Sequence, residues 1–144
     1  MFDLPIQYAF DHVGIAVASL AEGKKFYEAL GFKEMHVEEV VTEKVRVGMF
    51  ELANQARIEL LEPMSEDSPV AKFLAKRGPG VHHFCLRVAD INEAISKLVA
   101  SNIRLINDIP RPGAHGCQVA FVHPSAAGGV LVELSQPPKG EGLA

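Results

Sequence analysis

An internal repeat constrains the fold of this chain more than any other feature. The alignment that places His12 on His83 also places residues 17–20 on residues 88–91. In both copies a histidine stands at the head of an alternating apolar run, and a turn and a helix-like segment follow. The repeat therefore predicts two modules of similar structure within one chain.

Each copy carries the start and stop signals of a helix. Ser19 and Asp90 each precede a glutamate by three residues, which is a capping-box pattern that satisfies backbone N–H groups of the first turn. The helices are predicted to end at Gly31 and Asn102, two residue types that tolerate the left-handed conformation. The second helix has apolar residues at helical spacing, namely Ile91, Ala94, Ile95, Leu98 and Val99.

Three strand candidates follow each predicted helix, so each module has the order β-α-β-β-β. They span residues 33–41, 45–51 and 56–61 in the first copy and residues 104–109, 117–123 and 129–134 in the second. As a four-stranded antiparallel sheet with one helix, a single module would leave one apolar face and both edges open. We therefore expect an α+β fold in which two βαβββ modules, side by side or exchanged between subunits, form a curved, cleft-bearing mixed sheet.

The predicted organisation is a single domain over residues 1–144. It consists of module one (9–62), a linker helix (63–80), module two (81–135) and a tail (136–144). In the linker, Ser68 and Pro69 are the helix-start signals and Gly78 is the stop signal.

Composition excludes several classes of protein. The chain is 48% hydrophobic with a formal net charge of −4, so it can bury a core and has no basic surface for nucleic acid. No apolar run reaches the roughly 18 residues of a membrane helix, and the first residues resemble neither a signal nor a transit peptide. We expect a cytoplasmic protein without a membrane partner. Cys85 and Cys117 lie in apolar runs, which favours small core residues over a disulfide.

Histidines and glutamates on predicted strands point to a divalent metal ion. His12 and His83 stand on the first strand of each module, and Glu59 and Glu133 lie inside the apolar fourth strands. Each residue alone also fits a structural role, and Arg57 lies on the same side of its strand as Glu59, which allows a salt bridge. The occurrence of the pattern in both copies favours convergence on one ion. Two imidazoles and two carboxylates suit a catalytic Mn, Co, Ni, Fe or Zn ion, among which the sequence does not choose.

The other histidines receive weaker assignments. His82 alternates out of phase with His83, so it is predicted to point to the opposite face of the strand. His36 lies in a charged run and is predicted to be solvated, and His123 precedes a proline at a strand end or turn. His115 belongs to a glycine-rich loop, where a position at the cleft and a plain loop position are both open.

Several blocks of the sequence resemble the vicinal oxygen chelate superfamily and, within it, the methylmalonyl-CoA epimerase family. The superfamily pattern is Asp11-His-Val-Gly-Ile-Ala-Val17. The blocks similar to the epimerases are Ile58-Glu-Leu-Leu-Glu-Pro63, residues 67–78, Val81-His-His-Phe84, Arg111-Pro-Gly113, Phe121-Val-His-Pro124 and Gly128-Gly-Val-Leu-Val-Glu133. The resemblance spans residues 9–135 and implies the glyoxalase-like fold of paired βαβββ modules around a metal.

The resemblance implies a reaction and its acid/base groups. The family interconverts the (R) and (S) forms of methylmalonyl-CoA by removing and returning the C2 proton through a metal-stabilised enolate. Carried over to this sequence, the two acid/base groups are Glu133, also a metal ligand, and Glu43, with the neighbouring Glu38 and Glu39 as substitutes. The family usually has a glycine where this chain has Lys44, and a solvated charged turn stays open for this segment. The implied partners are a CoA thioester substrate and a second subunit in a homodimer.

Two alternative functions use the same fold. A glyoxalase I-type lactoylglutathione lyase has the same ligand set, but the linker helix and the Arg111-Pro-Gly113 block favour the epimerase. A metal-free small-molecule-binding module typically lacks the four ligands, and this chain retains all four.

Overall fold

The computed structural model describes residues 8–139. Residues 1–7 and 140–144 lie outside the described residues, and with them the N-terminal segment that was predicted to carry no targeting signal and most of the predicted tail. The strands of the described chain are β1 (Tyr8–Ala16), β2 (His36–Val40), β3 (Val45–Glu51), β4 (Arg57–Pro63), β5 (Gly80–Val88), β6 (Arg111–Pro112), β7 (Gln118–Val122) and β8 (Val132–Gln136), and its helices are α1 (Leu20–Leu30), α2 (Pro69–Arg77) and α3 (Ile91–Ala100). No helix within residues 8–139 combines the length and the hydropathy needed to cross a membrane.

The described chain divides into two compact units with the same strand arrangement. The first unit, His12–His83, has the strand order β2-β3-β4-β1. The second unit comprises the described residues up to Asp11 and those from Phe84 onward, and its strand order is β6-β7-β8-β5. In the first unit β1 is parallel to β4, and in the second β5 is parallel to β8. The prediction of two βαβββ modules with a mixed sheet is confirmed, whereas purely antiparallel modules were the wrong expectation.

Local capping signals place the three helices as predicted. The side chains of Ser19 and Asp90 each accept the backbone N–H three residues on, at 3.2 and 3.1 Å. Ser68, which is fully buried, accepts the N–H two residues on at 3.2 Å. Gly31 follows α1 with φ 108°, a conformation that glycine adopts without steric cost.

Each unit has its own apolar core. The first is built from Val17, Leu20, Phe50 and Leu60 with Ile15, Tyr27, Phe32, Met35 and Ile58 packed against them. The second is built from Val88, Ile91, Ala94, Ile95, Ala120 and Leu134 with Leu86, Leu98 and Leu105. The predicted apolar face of α3 is therefore correct over its first turns, but Val99 at its end is 52% exposed.

The predicted strand at residues 104–109 is interrupted in the structure. Leu105 forms an isolated antiparallel bridge to Val122, and the two-residue β6 begins later, at Arg111. Between them, the side chain of Asn107 accepts the N–H of Phe121 at 2.9 Å and donates to the carbonyl of Val119 at 3.2 Å. An asparagine amide thus takes the place of backbone ladder bonds, as such side chains do in irregular segments.

Candidate functional site

Two buried imidazoles face each other in the first unit. The Nε2 atoms of His12, on β1, and His83, on β5, are 3.1 Å apart, and the ring planes are inclined by 85°. Each residue is 5% exposed. Nitrogen ligands at about 2.0–2.1 Å from one ion in adjacent positions lie about 2.9–3.4 Å apart. The separation of these two nitrogens therefore fits a pair that shares a divalent cation.

The other ring nitrogen of each imidazole also has a partner. His12 Nδ1 lies 3.3 Å from Glu59 Oε2, and His83 Nδ1 lies 2.9 Å from His82 Nδ1. A neutral histidine that donates from Nδ1 presents an unprotonated Nε2, which is the form that binds a metal. Both imidazoles are thus engaged at Nδ1, and their Nε2 atoms point toward each other.

Gly14 makes room for the His83 ring. It lies two residues after His12, on the same face of β1, and is in register with Glu59 on the parallel strand β4. A Cβ atom at this position would lie 2.3 Å from His83 Cε1. Sequence reasoning did not select Gly14, although the signal was present as a glycine two residues from a candidate ligand.

Glu59 makes both of the contacts considered for it from the sequence. It is 4% exposed, and its Oε2 atom contacts both His12 Nδ1 and, at 3.2 Å, Arg57 Nε. A buried carboxylate is stable only with such partners. Because both contacts use Oε2, the ion pair with Arg57 does not occupy the second carboxylate oxygen of Glu59.

Glu133 is a buried carboxylate of the second unit. It lies on β8, is 8% exposed, and is in register with Cys85 on β5 and Phe121 on β7. The following residue, Leu134, belongs to the apolar core of that unit. Of the four ligands predicted from the sequence, the first unit places His12 and His83 with their Nε2 atoms facing each other and Glu59 at the Nδ1 atom of His12, and the second unit holds Glu133.

Glu43 lies on a turn that a side chain of the linker helps to hold. It is half-buried at the end of a 3₁₀ turn, Val41–Glu43, between β2 and β3. Lys44 has φ 54° and ψ 44°, the left-handed conformation that suits the glycine expected there by family resemblance. The carbonyl of Lys44 accepts the N–H of Met64 at 2.9 Å, and its ammonium forms an ion pair with Asp67. The Lys44 ammonium is the main reason that the pKa of Asp67 is lowered to about 2.

The two glutamates named as substitutes for Glu43 differ in their surroundings. Glu39 is exposed and forms an ion pair with Arg46 at 3.1 Å. The hydrogen bond that Arg46 donates to Glu39 and the charge of Glu62 raise the pKa of Arg46. Glu38 is half-buried and alternates with Glu39 along β2, so the two carboxylates leave the strand on opposite faces.

The remaining histidines and the cysteines take varied positions. His36 is exposed, and His123 caps a 3₁₀ turn by accepting the N–H of Ser125 at 3.0 Å. His115 is half-buried on a 3₁₀ turn with φ 59°. Cys85 is buried and Cys117 half-buried, and neither forms a disulfide.

Comparisons with known proteins agree on one family. The model of the Glyoxalase/Bleomycin resistance protein/Dioxygenase superfamily matches residues 11–121. Mitochondrial methylmalonyl-CoA epimerase of Bos taurus is 41% identical over 128 residues, 88% of this chain and 73% of that protein. Ethylmalonyl-CoA/methylmalonyl-CoA epimerase of Cereibacter sphaeroides is 39% identical over 129 residues, 88% of this chain and 96% of that protein. A variant of Streptomyces coelicolor methylmalonyl-CoA epimerase, solved with 2-nitronate-propionyl-CoA, superposes with a TM-score of 0.86 at 36% identity, covering 93% of this chain and 97% of that one.

Proposed function

We propose that this chain, which belongs to the methylmalonyl-CoA epimerase family of the glyoxalase/bleomycin resistance protein/dioxygenase superfamily, interconverts (R)- and (S)-methylmalonyl-CoA. The relatives named for this reaction match nearly the whole chain, and the solved relative binds a propionyl-CoA analogue. A CoA thioester is therefore the proposed substrate. A homodimer and a cytoplasmic location stay predictions.

The proposal includes a divalent metal ion, and the facing Nε2 atoms of His12 and His83 are the observation that carries it. The two buried Nε2 atoms are 3.1 Å apart, and the Nδ1 atom of each imidazole contacts another side chain. This arrangement matches a pair of metal ligands. Glu133 would supply a carboxylate ligand, and Glu59, which contacts His12 Nδ1, would orient the His12 ring, while its direct binding to the ion stays a prediction from the sequence. Such a set of imidazoles and carboxylates suits Co, Mn, Ni, Fe or Zn. When bound, the ion supplies Lewis acidity that favours negative charge on the substrate oxygens.

Epimerisation requires acid/base groups on both faces of the substrate C2 atom. In the proposed mechanism, one carboxylate removes the C2 proton and a protonated carboxyl on the other face returns a proton, so configuration inverts without redox chemistry. We assign these roles to Glu133 and Glu43. The burial of Glu133 and the half-burial of Glu43 support the assignment, because a carboxylate shielded from bulk water can exchange a proton with the substrate rather than with solvent. Such a group contributes about 10²–10⁴-fold to the rate.

Exchange of the C2 hydrogen in D₂O tests the proposal. Purified protein loaded with Co²⁺ should incorporate deuterium at C2 of methylmalonyl-CoA and interconvert its two forms. Glu133→Ala should lose both metal retention and turnover. Glu43→Gln should retain the metal and lose about 10²–10⁴-fold in kcat, the range for a general acid/base group.

The neighbouring glutamates provide the matched comparison. Glu38→Gln and Glu39→Gln should keep rates close to that of the unsubstituted protein, since neither carboxylate is assigned to C2. A Glu43→Gln variant with unchanged kcat would refute the assignment of Glu43. Turnover of the hemithioacetal of glutathione, with no deuterium entering methylmalonyl-CoA, would refute the epimerase function in favour of the lyase.

A further inference from the structure

We propose that His82 is a positioning residue of the metal centre, which accepts the Nδ1 hydrogen of His83 and so fixes Nε2 of His83 as the metal-binding atom. The inference rests on the proposed metal function and deepens it by assigning a residue that does not itself bind the ion. Its basis is the contact between the two Nδ1 atoms at 2.9 Å.

The distance determines how the two rings share protons. At 2.9 Å, two ring nitrogens are within hydrogen-bond range, so one must donate and the other must accept. If His83 gives the lone pair of Nε2 to an ion, its single ring proton resides on Nδ1. His83 Nδ1 is then the donor and His82 Nδ1 the acceptor, which places the proton of His82 on Nε2.

The position of His82 is held by helix α2. Its ring packs edge-on against Phe73, with centroids 5.0 Å apart and planes inclined by 70°. Arg77 lies one turn further along α2, and its guanidinium stands over the ring of Phe73, 5.6 Å from the ring centroid. The linker helix thus fixes the histidine that contacts His83, which gives this segment a function beyond connecting the two modules.

The two candidate ligands are supported in parallel ways. His12 Nδ1 contacts a carboxylate, Glu59 Oε2, and His83 Nδ1 contacts an imidazole, His82. Residues that hold the second nitrogen of a metal-bound histidine fix its tautomer and ring orientation, and their loss typically weakens metal binding by 10–100-fold. We assign that role to His82.

Two substitutions separate hydrogen bonding from packing. His82→Phe keeps a ring beside Phe73 and removes the acceptor, whereas His82→Asn keeps a polar atom near the position of Nδ1. Co²⁺ affinity, measured by competition with a chelator, should fall by about 10–100-fold in His82→Phe and by less than about threefold in His82→Asn, because the acceptor is retained. The melting temperature without metal should be the same in both variants. His36→Phe changes an exposed histidine at the start of β2; it is the matched control and should bind Co²⁺ like the unsubstituted protein.

The outcomes distinguish this inference from the function on which it rests. Failure of the unsubstituted protein to retain Co²⁺ would overturn both the metal function and the role of His82. If the unsubstituted protein binds Co²⁺ and His82→Phe binds it with the same affinity, the role of His82 is overturned and the metal function stands. Equal losses in both variants, together with a lower melting temperature without metal, would show a structural role and also overturn the inference.

Discussion

Gly14→Ala is predicted to disable the metal centre although it replaces none of the proposed ligands. The added Cβ would lie 2.3 Å from Cε1, 2.7 Å from Nδ1 and 2.9 Å from Nε2 of His83. Carbon atoms pack at about 3.5–4.0 Å, so the ring must withdraw by about 1.2 Å or more. β1 is held in register with β4 through Gly14 and Glu59, and the ring is therefore the part that moves. Ligand distances tolerate shifts of only about 0.2 Å.

Two measurements check this prediction. Chelator competition should show at least a tenfold loss of Co²⁺ affinity, and urea unfolding should show a loss of about 1–3 kcal/mol, as expected for an overpacked site. Gly80→Ala is the matched control, since nothing lies within 4 Å of its ideal Cβ and its φ is not positive. It should leave both quantities unchanged. Normal Co²⁺ affinity together with normal stability in Gly14→Ala would contradict the placement of the His83 ring against β1.

Two ion pairs give further predictions. Hydrogen bonds from Lys44 and Ser65 lower the pKa of Asp67 to about 2, so the NMR signal of its carboxyl group should titrate near that value. The contribution of this carboxylate to stability is complete above the unfolded pKa of about 3.9 and is lost as the pH falls through about 2. Lys44→Met should move the titration toward 3.9, and an unshifted midpoint would contradict the cause. Arg87→Met should lower the free energy of unfolding in urea by about 3–5 kcal/mol, because it removes the 2.8 Å contact of the buried Asp11 carboxylate. The double variant Arg87→Met/Asp11→Leu should regain most of that free energy. A loss below 1 kcal/mol in Arg87→Met would show that the pair is solvated.

The helices were predictable because their signals are local. Ser19, Ser68 and Asp90 accept backbone N–H groups within three residues, so the sequence around each cap contains all that determines it. The two-module α+β fold was predictable because the same helix start and stop signals occur twice in the sequence. Strand direction depends on which strands become neighbours, and no nearby residue encodes it. For that reason the parallel pairing of β1 with β4 was missed.

The strand predicted at residues 104–109 failed for a different reason. Its apolar alternation is present in the sequence, but the side chain of Asn107 forms hydrogen bonds that a continuous ladder would assign to backbone atoms. Whether an asparagine side chain or the backbone forms these bonds depends on the opposite strand, β7. The alternation therefore predicted a strand in a segment where the structure forms only the isolated bridge between Leu105 and Val122.

At the candidate site, the alternation along a strand predicts which face a side chain leaves from, but not where its ring nitrogens lie. Alternation on β5 correctly distinguished the buried His83 from the half-buried His82, and it predicted that the two rings point to opposite faces. Their Nδ1 atoms nevertheless lie 2.9 Å apart, because side-chain torsions allow neighbouring rings to meet and Phe73 packs against the ring of His82. Backbone periodicity determines the direction in which a Cβ leaves the strand but not where an imidazole nitrogen ends. The spacing of residues on a strand is therefore enough to propose a metal ligand such as His83. To identify the residue that orients this ligand, His82, one must also know where helix α2 lies.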